Sequence, residues 1–125
     1  MVKVTGSNTA PQNSIEKVGF LKMAAKNAIT AFAGGGQTSA TPLVDAINRV
    51  TTVASAGDSV LLPKAKAGLV VVVMNAAAAN SMDVFPTVGD AINAIAVNSQ
   101  LAVAANKCVI FICAVDGTWT SVLTA

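Results

Sequence analysis

Two stretches of the chain are apolar on both of the phases that a strand presents to its surroundings. In GLVVVVMN, residues 68 to 75, Leu69, Val71 and Val73 alternate with Val70, Val72 and Met74. In KCVIFICAV, residues 107 to 115, Val109, Phe111, Cys113 and Val115 alternate with Cys108, Ile110, Ile112 and Ala114. Successive side chains of a strand point to opposite sides, so a strand with one wet side reads apolar and polar by turns. These two do not alternate. A membrane span is excluded by length: a helix crossing a bilayer takes about 20 apolar residues, whereas Leu69 to Met74 would cover about 9 Å as a helix and about 20 Å as a strand. Both stretches read as strands that something covers on each side.

Further short β-like runs flank them: AINRVTTVA (46 to 54), SVLLP (59 to 63), MDVFP (82 to 86), AINAIAV (91 to 97), QLAVAA (100 to 105) and TWTSVL (118 to 123). Glycine, proline and aspartate separate them and supply turn geometry. Asp116-Gly117 is the clearest hairpin signal, pairing CVIFICAV with TWTSVL. AINAIAVNSQLAVAAN also admits a helix, since alanine is the best helix former, but its asparagines and β-branched residues oppose that. Before the glycine cluster AGGGQTSATP, residues 33 to 42, the texture differs. Ser14 is placed to cap a helix, and Ile15, Val18, Leu21, Ala25, Ala28 and Phe32 recur at helical spacing, predicting a helix over about residues 15 to 27. The competing reading makes AITAFA, residues 28 to 33, a strand. The expected organisation is an extended polar arm over 1–13, a short helix and glycine hinge over 14–35, and a mainly β domain over 36–125, an antiparallel β-sandwich or jelly-roll of about eight strands.

Composition narrows the chemistry. The chain has 125 residues, enough for one domain with a real core, and a net charge of +2 from scattered residues. With no block of like charge, and with Lys17, Lys22 and Lys26 reading as a solvated helix face, nucleic-acid binding is disfavoured. Histidine is absent, which removes the usual general base and zinc ligand. Cys108 and Cys113 stand at odd spacing, pointing to opposite sides of a strand, and read as buried thiols in a reduced cytoplasm where the chain is made. Met1 to Ser14 lacks the continuous apolar core of a secretion signal. Asp45, Asp58, Asp83, Asp90 and Asp116 all fall at turns, where aspartate binds backbone amides; a carboxylate pair or a calcium site among them has no supporting spacing. GGGQTS lacks the lysine of a phosphate loop. Ser14, Ser39 and Ser59 have no histidine to activate them. The chain reads as a non-enzyme with no cofactor, no metal and no membrane span.

The doubly apolar strands have two explanations. The N-terminal helix covers the outer side, or copies of the chain do so in a symmetric oligomer. For the second, the expected interface residues are Leu69, Val71, Val73, Val109, Phe111 and Val115. Aromatic residues are only 4% of the chain, which fits close packing of small side chains better than a ligand cavity. Trp119, between Thr118 and Thr120, reads as a packed edge residue or as a sugar-stacking platform.

The order of AFAGGGQTSATPL, NRVTTVASAGDSVLLP, AGLVVVVMNAAAANSMDVFPTVGDAINAIA and DGTW resembles a module of small structural proteins of tailed bacteriophages, the virion decoration or cement proteins and pieces of tail fibres. The resemblance covers roughly residues 31 to 120. It is carried by Asn48, Val50, Val53, Asp58-Ser59-Val60, Leu62-Pro63, Gly68, Asn75, VFP and GDAIN. It implies a non-enzymatic protein on the capsid surface of a virion, often a trimer, bound to the major capsid protein. The arm, with Val2, Lys3, Val4 and Pro11, lies outside the resemblance; its composition suits a segment that orders on a capsid surface, so deleting residues 1 to 13 is expected to weaken attachment and leave the oligomer intact. The alternative from the same resemblance is a glycan-binding tail-fibre module using Trp119.

Overall fold

The computed structural model describes residues 20–125. They form strands β1 (Ala25–Thr30), β2 (Thr41–Pro42), β3 (Ile47–Thr52), β4 (Asp58–Leu61), β5 (Val70–Asn75), β6 (Met82–Phe85), β7 (Ala91–Ile92), β8 (Leu101–Val103), β9 (Lys107–Val115) and β10 (Thr118–Leu123). A six-stranded sheet has the order β1-β3-β5-β9-β10-β7 and a four-stranded sheet the order β2-β4-β6-β8. Up to β6 the chain alternates between the two sheets, and each strand lies parallel to the one before it in the same sheet. Ala25 sits beside Ile47 and Ile47 beside Val72. The chain therefore winds through three stacked coils, a β-solenoid-like arrangement. The stack ends by reversal, because β8 runs antiparallel to β6 and β9 antiparallel to β5. The β9–β10 hairpin turns at Asp116-Gly117, and β7 joins the far edge of β10.

This overturns the expected antiparallel sandwich or jelly-roll, although the mainly β class agrees. The difference lies in the connections. Residues 53 to 57 are as short as a hairpin loop, but they carry the chain from one sheet to the other instead of back along the same sheet. The next strand then lands parallel on the previous coil.

The expected helix is also corrected: no helix occurs among the described residues, and Ala25 to Asn27 belong to β1. Of the residues at helical spacing, Leu21, Ala25, Ala28 and Phe32 are all exposed, whereas Ile29 and Ala31, one strand period apart, are buried. Covering an outer sheet face with that helix is therefore ruled out over residues 20 to 27. Ser14, the start of that helix and the arm with Val2, Lys3, Val4 and Pro11 lie outside the described residues.

The space between the sheets is filled by residues of one phase from each strand. Val50 of β3, Val60 of β4, Val73 of β5, Val84 of β6 and Val109 and Phe111 of β9 are fully buried. Trp119 of β10 closes the far side, edge-on to Phe111 with ring centroids 6.4 Å apart and an interplanar angle of 79°.

Candidate functional site

Most of the polar residues that carry the resemblance are placed inside the fold, Asn93 of GDAIN being exposed. Asn48, Asp58, Ser59, Asn75 and Asp90 are all buried. Buried polar groups are unfavourable unless hydrogen-bonded, and most of these hold backbone that has no sheet partner. Asp58 accepts from the Gly34 amide (3.1 Å) and the Ser55 amide (3.0 Å), tying the glycine loop to the β3–β4 connection. Asn75 donates to the carbonyls of Asn80 (3.0 Å) and Val103 (2.9 Å), and its Oδ1 accepts from the Ala77 amide (3.2 Å). Asn80 Nδ2 donates in turn to the Val53 carbonyl at 3.0 Å. Asp90 accepts from the Ala65 amide (2.8 Å) and pairs with the half-exposed Lys64 ammonium at 2.5 Å. Asp116 accepts from the Ala67 amide at 2.9 Å. Asp58, Asp90 and Asp116 thus have the turn role the sequence indicates.

Asp45 and Asp83 take no such bond among the described residues. Burial pushes the Asp83 carboxyl above its ordinary range. Cys108 and Cys113 are free, the first half-buried on the outer side of β9 and the second buried inside; burial raises the Cys108 thiol.

Among the described residues no three His, Cys, Asp or Glu side chains gather in metal-binding range. A groove of about 260 Å³ lies beside β1 and β2, with Lys26, Thr30, Thr41 and Asn48 in its wall. Among the described residues Lys26 is its only ionisable lining group, and the Asn48 Oδ1 beneath has no hydrogen-bond partner. That set offers a cation and an amide oxygen, without a nucleophile and base in contact. The glycine loop is a structural cover: Ser59 Oγ donates to the Gly36 carbonyl (2.8 Å) and Gln37 Nε2 to the Pro86 carbonyl (2.7 Å). These bonds carry it over the outer side of the four-stranded sheet, which is why Ser59, on the outward phase of β4, is fully buried. Trp119 is fully buried too, so it has no free ring face for a sugar, which corrects the platform reading.

The outer side of the six-stranded sheet has no comparable cover among the described residues. Registers align Ala25, Ile47, Val72, Ile110 and Val122 in one row across five strands, flanked by a row of Val70, Ile112 and Thr120. Val70, Ile110, Ile112 and Val122 are 41%, 38%, 41% and 54% exposed. Arg49, on the same phase of β3 as Ile47, is exposed beside these rows and bonded to Asn27 Oδ1 at 3.0 Å. Covering the remaining half of a Val or Ile side chain is worth about 1 kcal/mol, so six such residues give on the order of 6 kcal/mol per copy. Against an association cost of about 4–15 kcal/mol, two facing copies come close to balance.

Of the six expected interface residues, Val71, Val73, Val109 and Phe111 point into the chain's own core and are taken off the surface; Leu69 and Val115 are exposed at its ends. The outward set is the opposite phase, Val70, Val72, Ile110 and Ile112. No helix of the described residues is long and apolar enough to cross a membrane. No family model matches the chain, and no match was found among curated proteins or solved structures.

Proposed function

We propose that the chain is a non-enzymatic structural protein of a tailed-phage virion that binds the major capsid protein on the outside of the shell and acts as a homo-oligomer. The reading is supported by the use made of Asp58, Ser59, Asn75 and Asp90: each carries the phage-module resemblance, and each hydrogen-bonds loop backbone. Residues held in this way make a stiff scaffold with rigid loops, the requirement of a part that docks by shape. The tail-fibre glycan alternative loses its platform with Trp119 in the core.

Cosedimentation tests the proposal. Purified protein mixed with shells of its cognate major capsid protein should pellet saturably, with a stoichiometry fixed by the shell lattice. Protein that stays in the supernatant at every shell concentration would sink the proposal.

A further inference from the structure

We infer that the outer face of the six-stranded sheet is a self-association surface, whose occupant is the same face of a second copy of this chain. Three observations lead there. The first is asymmetry of cover. The four-stranded sheet has the glycine loop drawn over it by the Ser59 and Gln37 hydrogen bonds, while the row Ile47, Val72, Ile110 and Val122 has nothing over it among the described residues. The second is chemistry. The row and its neighbours Val70 and Ile112 carry no charge, and the outward Arg49 beside them is a single cation tied to Asn27, so the central rows do not select a charged partner. Branched aliphatic side chains on two flat pleated faces interdigitate as they do between the sheets of a sandwich. The third is area. Five strands about 4.8 Å apart and about six residues long present roughly 20 by 24 Å, about 500 Å² per copy. A pair then buries about 1,000 Å², the size at which a specific interface begins. A face related to itself by a two-fold axis closes on one partner and does not propagate.

The inference rests on reading the chain as an assembling protein, but its test does not involve a capsid. Sedimentation velocity of the wild-type protein between about 1 and 100 µM should show the mass rising from 12.5 kDa to twice that value. The double variant Val72→Lys, Ile110→Lys should remain at the monomer mass throughout, with its β-type circular dichroism and cooperative melting retained. Should that variant fail to fold, wild-type Cys108 supplies the readout, because it lies on the same face opposite Met74 while Cys113 is buried. Its alkylation rate should fall at least several-fold on concentrating the protein, as the second copy covers it. A wild-type monomer at about 100 µM, a folded double variant that still associates, or concentration-independent Cys108 alkylation would each overturn the inference. Self-association without shell binding removes the capsid role and leaves this surface; shell binding by a strict monomer removes this surface and the oligomer and leaves the capsid role.

Discussion

At Asn75 a single buried amide serves three backbone groups, two carbonyls and one N–H. Replacing it with alanine leaves them without partners in a site closed to water. The expected loss is about 3 kcal/mol, read as a lower urea midpoint with an unchanged slope. Asp83 behaves in the opposite sense. Its folded-state pKa is raised by burial, so the folded protein holds that proton to higher pH than the unfolded chain does. Its contribution to stability therefore declines as the pH rises from about 4 through the raised value, and it is unfavourable at neutrality. Asp83→Asn should be at least as stable as wild type at pH 7 and should lack this decline, as thermal melts across pH 3 to 7 will report. The same two stretches show what a sequence conceals at this scale. The apolar content of the two phases of β5 and β9 is nearly equal, and the polar residues Asn75 and Lys107 fall on the phase that turns inward. Asn75 is inside because its amide replaces missing ladder bonds, which no alternation pattern reveals.

Among the elements, the glycine loop offers an internally controlled comparison. A Cβ at Gly35 would lie 2.5 Å from the Gly57 carbonyl oxygen, and its φ is +72°. At Gly34 the φ is +94° but the space is open. Gly34→Ala should lose about 1 kcal/mol from backbone strain alone, and Gly35→Ala clearly more, since the β3–β4 connection must also move. Chemical denaturation of the two variants side by side checks the order. Strand limits are the most legible feature of the sequence: 107 to 115 and 118 to 123 are delimited by the Asp116-Gly117 turn and match β9 and β10. AINAIAV yields only the two residues of β7, because Asn93 takes a φ of 54° and its side chain bonds Ser121. What stayed hidden was where each strand goes. A five-residue connection is compatible with a hairpin and with a passage between sheets, and the parallel registers depend on the second. β1 is half legible, because the strand reading of AITAFA overlaps it at residues 28 to 30, while apolar residues at helical spacing, whose described members are exposed, favour a helix instead.

For the molecule as a whole, cooperativity should follow distance from the free edges. β5 and β9 have ladder partners on both sides, whereas β1, among the described residues, has only β3. Hydrogen exchange should therefore leave the amides of β5 and β9 protected longest and open β1 and β2 first, at a free energy below that of global unfolding. A pattern with β1 among the slowest amides would mean that the first coil is stabilised from outside the described residues. The candidate surface was half legible at this scale: the two strands that build it declare themselves by lacking a polar phase, while the choice of phase required the fold.

The reversal after the third coil has a consequence for how long such a molecule can be. A parallel coil offers its successor the same edge that it received, so a stack of coils alone has no natural length. Here β8 and β9 run against β6 and β5 and make the stack directional, with a closed end there and, among the described residues, an open edge at β1. Length becomes a quantity adjustable in whole coils from within, each adding about 4.8 Å, without disturbing the hairpin, the Trp119 contact or the loops that close the end.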